Sequence, residues 1–317
     1  MSGAAELVDG LLEATVVGSF TRIGYHARRR LFHWAPLDSF RLDGKVAIVT
    51  GATSGLGRWT AGQLARQGAT VCVVGRDAQR TRRAGTEIGA ETELADLSLM
   101  SETAALAARF AASHDRLDAL VLNAGVLTHD FTLTAEGNEV TFATHVLSQF
   151  LLTSKLLPLL EASAPSRVVI VSSGGAYTMP LDVAALQPSR ETYDGSKTYA
   201  RCKRAQLALA GQWTERLLGT GVTVNAMHPG WADTPGIHAG LPGFSRLVGP
   251  LLRTPEEGAD TIAWLASSPE PAEQSGLFFL DRRPRALHRL KRTRRPDESQ
   301  EAKRLWELCS ERTASFA

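Results

Sequence analysis

The stretch Lys45-Val-Ala-Ile-Val-Thr50 runs without a break into Gly51-Ala-Thr-Ser-Gly55-Leu-Gly57. A short apolar run of this kind predicts a buried strand. Glycines directly after it let the backbone turn sharply and approach a pyrophosphate, whose charge then meets the N-terminus of the helix that follows through Gln67. Three glycines alone carry little weight and would otherwise mark a tight turn in an ordinary α/β protein. Here a strand precedes them, a helix follows, and a second strand, Thr70–Val74, comes next.

Further strands are predicted at Thr92–Leu94, Ala119–Leu122, Arg167–Ser172, Val222–Met227 and Leu277–Leu280, with helical stretches between them. Continuous apolar strands alternating with helices point to the α/β class: one doubly wound parallel sheet with helices on both faces. Ligands of such sheets bind beyond the strand carboxyl ends. Asn123, Ser173 and Pro229 each follow directly on a predicted strand, as the glycine turn does. Tyr199 and Lys203 stand at i and i+4 at the head of an apolar-periodic helix, so phenol and ammonium share one face. An ammonium there is expected to stabilise phenolate and lower the tyrosine pKa. Tyr193 and Lys197 have the same spacing, but Asp194-Gly195 between them is turn chemistry and places the working pair at Tyr199 and Lys203.

In order and spacing, Thr50 to Gly57, Asn123-Ala124-Gly125, Ser173, Tyr199 with Lys203, and Pro229-Gly230 resemble the short-chain dehydrogenase/reductase family over roughly residues 43 to 281. The resemblance implies a Rossmann-type sheet and an oxidoreductase that moves a hydride between a nicotinamide and a ketone, aldehyde or alcohol. It implies that Gly51, Thr53, Ser54, Gly55, Leu56 and Gly57 hold the cofactor phosphates, and that Asp96 and Leu97 hold the adenine. Asn123, Ala124 and Gly125 would run along the cofactor, and Pro229, Gly230 and Thr234 would meet the nicotinamide side. Tyr199 would be the general acid/base, Lys203 would lower its pKa and bind the nicotinamide ribose, and Ser173 would orient the reacting oxygen. NAD-dependent members carry an acidic residue at the end of the second strand; Gly75 and Arg76 stand there instead. Loss of the carboxylate and gain of a guanidinium predict NADP(H) over NAD(H). One departure falls at the family's helix asparagine, where this chain has His145, and Ser148 replaces a following glycine. An imidazole can also relay protons near neutral pH.

The 317 residues are read as an N-terminal arm over 1–42, a catalytic domain over 43–281 and a basic, helical tail over 282–317. A net charge of +2 excludes wholesale nucleic-acid binding. The three cysteines, Cys72, Cys202 and Cys309, have no metal-ligand or disulfide spacing, which fits a reducing cytoplasm and no metal site. No apolar run is long enough to span a membrane. The arm carries an apolar stripe (Val8, Leu12, Val16, Phe20, Ile23, Ala27, Leu31, Trp34) with Arg22, Arg28, Arg29 and Arg30, interrupted by Gly10, Gly18 and Gly24: an amphipathic basic helix suited to peripheral membrane contact or to folding onto its own domain or a partner chain. Asp281 to Arg295 holds eight Lys or Arg residues, read as a solvated face, with attraction to phospholipid or acidic partners as the alternative. Residues 230–256 are expected to form a lobe over an apolar substrate. The family pairs through the helices bearing Phe150 and Tyr199, so a homo-oligomer is an expectation, unless the arms cover those faces. The rival reading is a catalytically weak NADP-binding scaffold or redox sensor, for which His145 is the motive.

Overall fold

A computed structural model describes residues 3–240, 243 and 248–316. Its centre is an eight-stranded sheet in the order β3-β2-β1-β4-β5-β6-β7-β8, formed by β1 (Val46–Thr50), β2 (Thr70–Gly75), β3 (Glu91–Leu94), β4 (Ala119–Leu122), β5 (Ser166–Val171), β6 (Val222–Met227), β7 (Phe278–Leu280) and β8 (Arg283–Arg285). The first seven run parallel, in register Val46↔Thr70, Ile48↔Leu120 and Val168↔Val224 among others. Strands β1 and β4 are buried throughout because helices cover both faces, which is why they read as unbroken apolar runs rather than alternating ones. Alternate residues of β1 divide between two cores: Ile48 joins Phe110, Leu147 and Phe150, while Val49 joins Leu64, Ile262 and Trp264.

The seven predicted strands form, each within a residue or so of its expected bounds. Strand β8 was not foreseen, since Arg283-Pro284-Arg285 lacks any strand-like pattern. It is made by its turn: Asp281 and Arg282 sit at φ +55° and +56° between antiparallel β7 and β8. Two consecutive positive φ values suit a two-residue hairpin, normally built with Asn-Gly. Here buried ion pairs compensate the side-chain strain, as Asp281 meets Arg28 and Arg253 at 2.7 and 2.6 Å, and Arg282 meets Asp260 at 2.7 Å.

The arm folds onto its own domain. Instead of one amphipathic helix it forms α1 (Gly3–Ala14), α2 (Val16–Phe20) and α3 (Arg22–Leu31). Thr15 caps α2 by accepting from Gly18 N at 3.0 Å. A Cβ at Gly24 would lie 2.3 Å from Gly18 O, so α2 and α3 cross where only glycine fits. Phe20 and Tyr25 are buried, and Arg28 is fully buried between Asp9, Glu13 and Asp281, not turned outward. The basic run after Asp281 is likewise no free charged face throughout. Arg283, Arg285 and Arg289 pair with Glu6, Asp9 and Glu13 of α1, so an acidic first helix and a basic tail close on each other. The C-terminal helix Glu298–Thr313 seats Trp306 against Phe150 and Trp213, with ring centroids 4.9 and 4.7 Å apart, and buries Leu305 and Cys309. It thus lies over the two long helices α8 (Ser148–Ala162) and α9 (Gly195–Arg216). The middle of the lobe expected over 230–256 falls outside the described residues; its two stems are joined by a bridge between Ala232 and Arg253.

Candidate active site

The glycine turn links β1 to α4 (Gly55–Arg66) at the carboxyl edge of the sheet. Gly51 and Gly55 have φ of +64° and +55°. A Cβ at Gly51 would come within 2.8 Å of Ala124 Cα, and one at Gly57 within 2.4 Å of Asn123 Nδ2. The turn is therefore pressed against the end of β4. Asn123 braces it: Nδ2 donates to Thr50 O at 2.8 Å and Gly51 O at 3.2 Å. Thr50 completes the brace, its Oγ1 accepting from Asn123 N and Ala124 N at 3.0 Å each while donating to Val121 O. Thr50 was not singled out as a separate residue; a threonine closing an apolar strand was the available signal.

Ser54 is the N-cap of α4 and makes no side-chain cap bond, which leaves the first-turn amides of a long helix for an anion. Thr234 lies across the turn, its Cγ2 3.5 Å from where a Gly55 Cβ would stand. Arg76 is exposed directly after β2 and makes no ion pair among the described residues, whereas Arg58 is held by Glu87. A Cβ at Gly75 would strike Thr53 Cγ2 at 2.5 Å, so the second strand ends tight against the turn. Asp96, half-buried, accepts from Ser98 N at 2.9 Å, and Leu97 is buried beside it. A glycine cradle and an uncapped helix N-terminus fit the pyrophosphate of a nicotinamide dinucleotide.

The proton-handling residues converge at the ends of β5 and α9. Asp194 caps α9 by accepting from Lys197 N at 3.0 Å, so Tyr199 and Lys203 share a helix while Tyr193 lies ahead of it. Tyr193 bonds instead with Thr128 at 2.7 Å, and Lys197 pairs with Asp194 at the surface. The two serines divide as strand alternation requires. Ser172 Oγ donates to Lys203 O at 2.9 Å, whereas Ser173 Oγ accepts from Gly175 N at 3.1 Å and borders Gly175 together with the Tyr199 ring. Lys203 Nζ is buried and donates to Val171 O at 2.8 Å; it lies 5.4 Å from the Tyr199 ring centroid. The expected downward pull of Lys203 on Tyr199 is absent here. Burial, with a smaller push from Cys202, raises the phenol above its ordinary pKa, and the Ser173 hydroxyl offsets this in part. Burial also brings the Lys203 amine down to about 7.

His145 sits on a π-helical turn, Ala143–Leu147, joining Val140–Phe142 to α8. Such turns re-aim a side chain within a helix. Its ring packs edge-on to Tyr199 at 5.4 Å between centroids. Nε2 lies 2.8 Å from Val126 O and 2.9 Å from Val126 N, and Nδ1 is buried with no partner among the described residues. Burial, helped by the Lys203 charge, holds the imidazole well below its ordinary pKa, so it is neutral. A Cβ at Gly125 would meet His145 Cε1 at 2.5 Å, so this glycine makes room for the imidazole. Gln206, a polar residue on the apolar stripe of α9, donates to His145 O at 3.2 Å, and that break in the stripe is its signal in the sequence.

The profile of the short chain dehydrogenase family matches residues 45–239. This chain belongs to the short-chain dehydrogenase/reductase family, oxidoreductases acting on CH–OH groups with a nicotinamide cofactor. It is 36% identical to dehydrogenase/reductase SDR family member 12 of Bos taurus over 99% of this chain and 98% of that one. It is also 36% identical to retinol dehydrogenase 13 of Homo sapiens, over 75% of this chain and 76% of that one. Among solved structures it is similar to a short chain dehydrogenase from Escherichia coli CFT073 complexed with NADPH, with a TM-score of 0.63 and 25% identity over 78% of this chain and all of that one. No helix among the described residues is long and apolar enough to cross a membrane.

Proposed function

We propose that this protein is an NADP(H)-dependent oxidoreductase that interconverts an apolar ketone or aldehyde and the corresponding alcohol. The observation carrying the reading is that Ser173, Tyr199 and Lys203 meet at the sheet edge that also holds the glycine cradle. The bound nicotinamide supplies or accepts the hydride. Gly51 to Gly57 hold the phosphates, Arg76 favours a 2′-phosphate, and Asp96, Leu97, Asn123, Pro229, Gly230 and Thr234 hold the rest. Ser173 Oγ orients the substrate oxygen, and Tyr199 gives or takes the proton there. Lys203, titrating near 7, exchanges a proton within the working pH range one helical turn from Tyr199. His145 Nδ1, unpartnered and buried beside Tyr199, is suited to accept a hydrogen bond there while the imidazole stays neutral. An apolar substrate is favoured by the aromatic neighbourhood of Trp231 and by the likeness to proteins named retinol dehydrogenases.

Thermal unfolding with NADPH, with NADH and with neither tests the cofactor. Ligand at about one hundred times its dissociation constant adds roughly 2.7 kcal/mol of stability. Stabilisation by NADPH, followed by its oxidation with straight-chain aldehydes or all-trans-retinal, supports the enzyme. Stabilisation without turnover favours the scaffold or sensor reading, which the raised Tyr199 pKa and His145 motivate. No stabilisation by either nucleotide removes both.

Buried, unpaired cysteines suit a reducing compartment such as the cytoplasm. Leu7, Leu11, Val16, Val17 and Ile23 remain exposed on the folded arm, and Arg29 and Arg30 line a groove with His26, His33 and Trp34. These features suit peripheral contact with anionic lipid. Flotation with anionic vesicles tests it: loss in a Leu7→Ser/Leu11→Ser variant supports contact, and absence in the parent protein removes it.

A further inference from the structure

Phe20 comes from the arm yet is 5% exposed, deep in the main core. Its ring lies against Gly174, where a Cβ would fall 2.5 Å from Phe20 Cε2. Gly174 begins the turn whose next amide, Gly175 N, fixes Ser173 Oγ. On the opposite side, Phe20 O accepts from Trp231 N at 2.8 Å, immediately after Pro229-Gly230. The Trp231 ring meets the Phe20 ring edge-on at 5.9 Å. Arg253, from the other stem of the lobe, donates to Phe20 O at 3.0 Å and Ser19 O at 2.9 Å, filling the carbonyls that end α2. Arg253 is in turn anchored by Asp281 at 2.6 Å, and its own N donates to Trp231 O at 2.8 Å. One residue of the arm therefore touches the backbone that aims Ser173 and both stems of the lobe beyond Pro229-Gly230.

We infer that Phe20 is a positioning residue for catalysis: the arm sets the gap between the Ser173–Gly174 wall and the Trp231 wall in which the substrate carbonyl is held. The inference rests on the oxidoreductase reading above for its chemistry and on the contacts of Phe20 for its geometry. It makes the arm part of the substrate site, apart from any role in location.

The test is a paired substitution at the Phe20–Gly174 contact, read on the full chain. Phe20→Ala lowers kcat/KM for decanal about tenfold while the NADPH dissociation constant moves less than about twofold, because misplacement by an ångström is costly to turnover and the dinucleotide cradle lies elsewhere. Gly174→Ala drives a methyl into the ring and lowers kcat/KM as well; Gly174→Ala/Phe20→Leu, which removes the collision, recovers activity relative to Gly174→Ala alone. A purely structural Phe20 gives the opposite result: lower melting temperatures, unchanged kcat/KM in the folded variants, and no recovery in the pair. Amide hydrogen exchange separates failure of the inference from failure of the enzyme reading. Faster exchange in both 173–177 and 229–234 in Phe20→Ala supports the coupling even if the parent protein reduces no aldehyde; exchange changed in neither segment overturns it.

Discussion

Replacing Arg28 by methionine tests whether the arm is anchored as described. The guanidinium is wholly buried and meets Asp9 at 2.6 Å, Asp281 at 2.7 Å, Glu13 at 3.0 Å and Ser19 O at 3.1 Å. Methionine fills much of the volume and removes the charge and every donor. Removing one partner of a buried pair costs about 3–5 kcal/mol, because the other is left buried and uncompensated. Neither principal carboxylate is left alone here: Asp281 keeps Arg253 at 2.6 Å and Asp9 keeps Arg285 at 2.8 Å. The loss should therefore lie at the lower end, about 3 kcal/mol. At about 2 °C or more per kcal/mol for a chain of this size, the melting temperature falls by about 6 °C. Arg29, next to it and exposed, is the control; Arg29→Met should stay within about 0.5 kcal/mol of the parent. Circular dichroism melts in low and high salt are the assay. The Arg28 loss persists at about 1 M salt, since a buried cluster is screened far less than a surface pair. An Arg28→Met protein as stable as Arg29→Met would refute the reasoning, because that is how an arm with its arginines facing solvent or lipid behaves.

Tyr199→Phe should keep NADPH-induced stabilisation and lose about 10²- to 10⁴-fold in kcat, measured by NADPH oxidation with an accepted aldehyde. Arg76→Ala should cost about tenfold in NADPH affinity and little in NADH affinity, the loss of one charge-assisted contact, measured by titration calorimetry with each nucleotide. His145 and His228 are both buried and held well below the ordinary histidine value of 6.5, so the fold accepts only their neutral forms. The unfolded chain then binds more protons below that value. Stability is full above pH about 6.5 and falls as the pH drops beneath it, and His145→Asn should remove part of that slope in urea melts between pH 5 and 7.

What could be read from the chain, and what could not, divides by distance along it. Strands β1 and β4 to β6 announce themselves because burial on both faces demands consecutive apolar residues. The turn at Gly51 to Gly57 is legible because left-handed φ and close approach to Ala124 select glycine locally. Tyr199 with Lys203 is legible because helical period is local, and Asp194 as a cap dismisses Tyr193. By contrast, the orientation of Lys203 depends on Val171 O, and the raised Tyr199 pKa on burial that no spacing encodes. Arg28 reads as one more base in a basic arm; its partner Asp281 lies 253 residues away. Asp281-Arg282 does not look like a hairpin turn, because the residues that compensate its strain come from α3, the lobe stem and the helix Pro255–Ser267. Phe20 fits an outward stripe as well as it fits a core.

The closure of α1 on the basic tail has a consequence for how the chain is made. Asp9 and Arg285 are 276 residues apart. At roughly 5–20 residues per second of synthesis, the interval between them is about 15 to 55 s. Throughout that interval Asp9 and Glu13 have Arg28 but lack Arg285 and Arg289, and Phe20 and Tyr25 have no finished surface to enter. A nascent chain thus offers an incompletely paired, apolar arm for tens of seconds, open to capture by a chaperone before its last strand arrives.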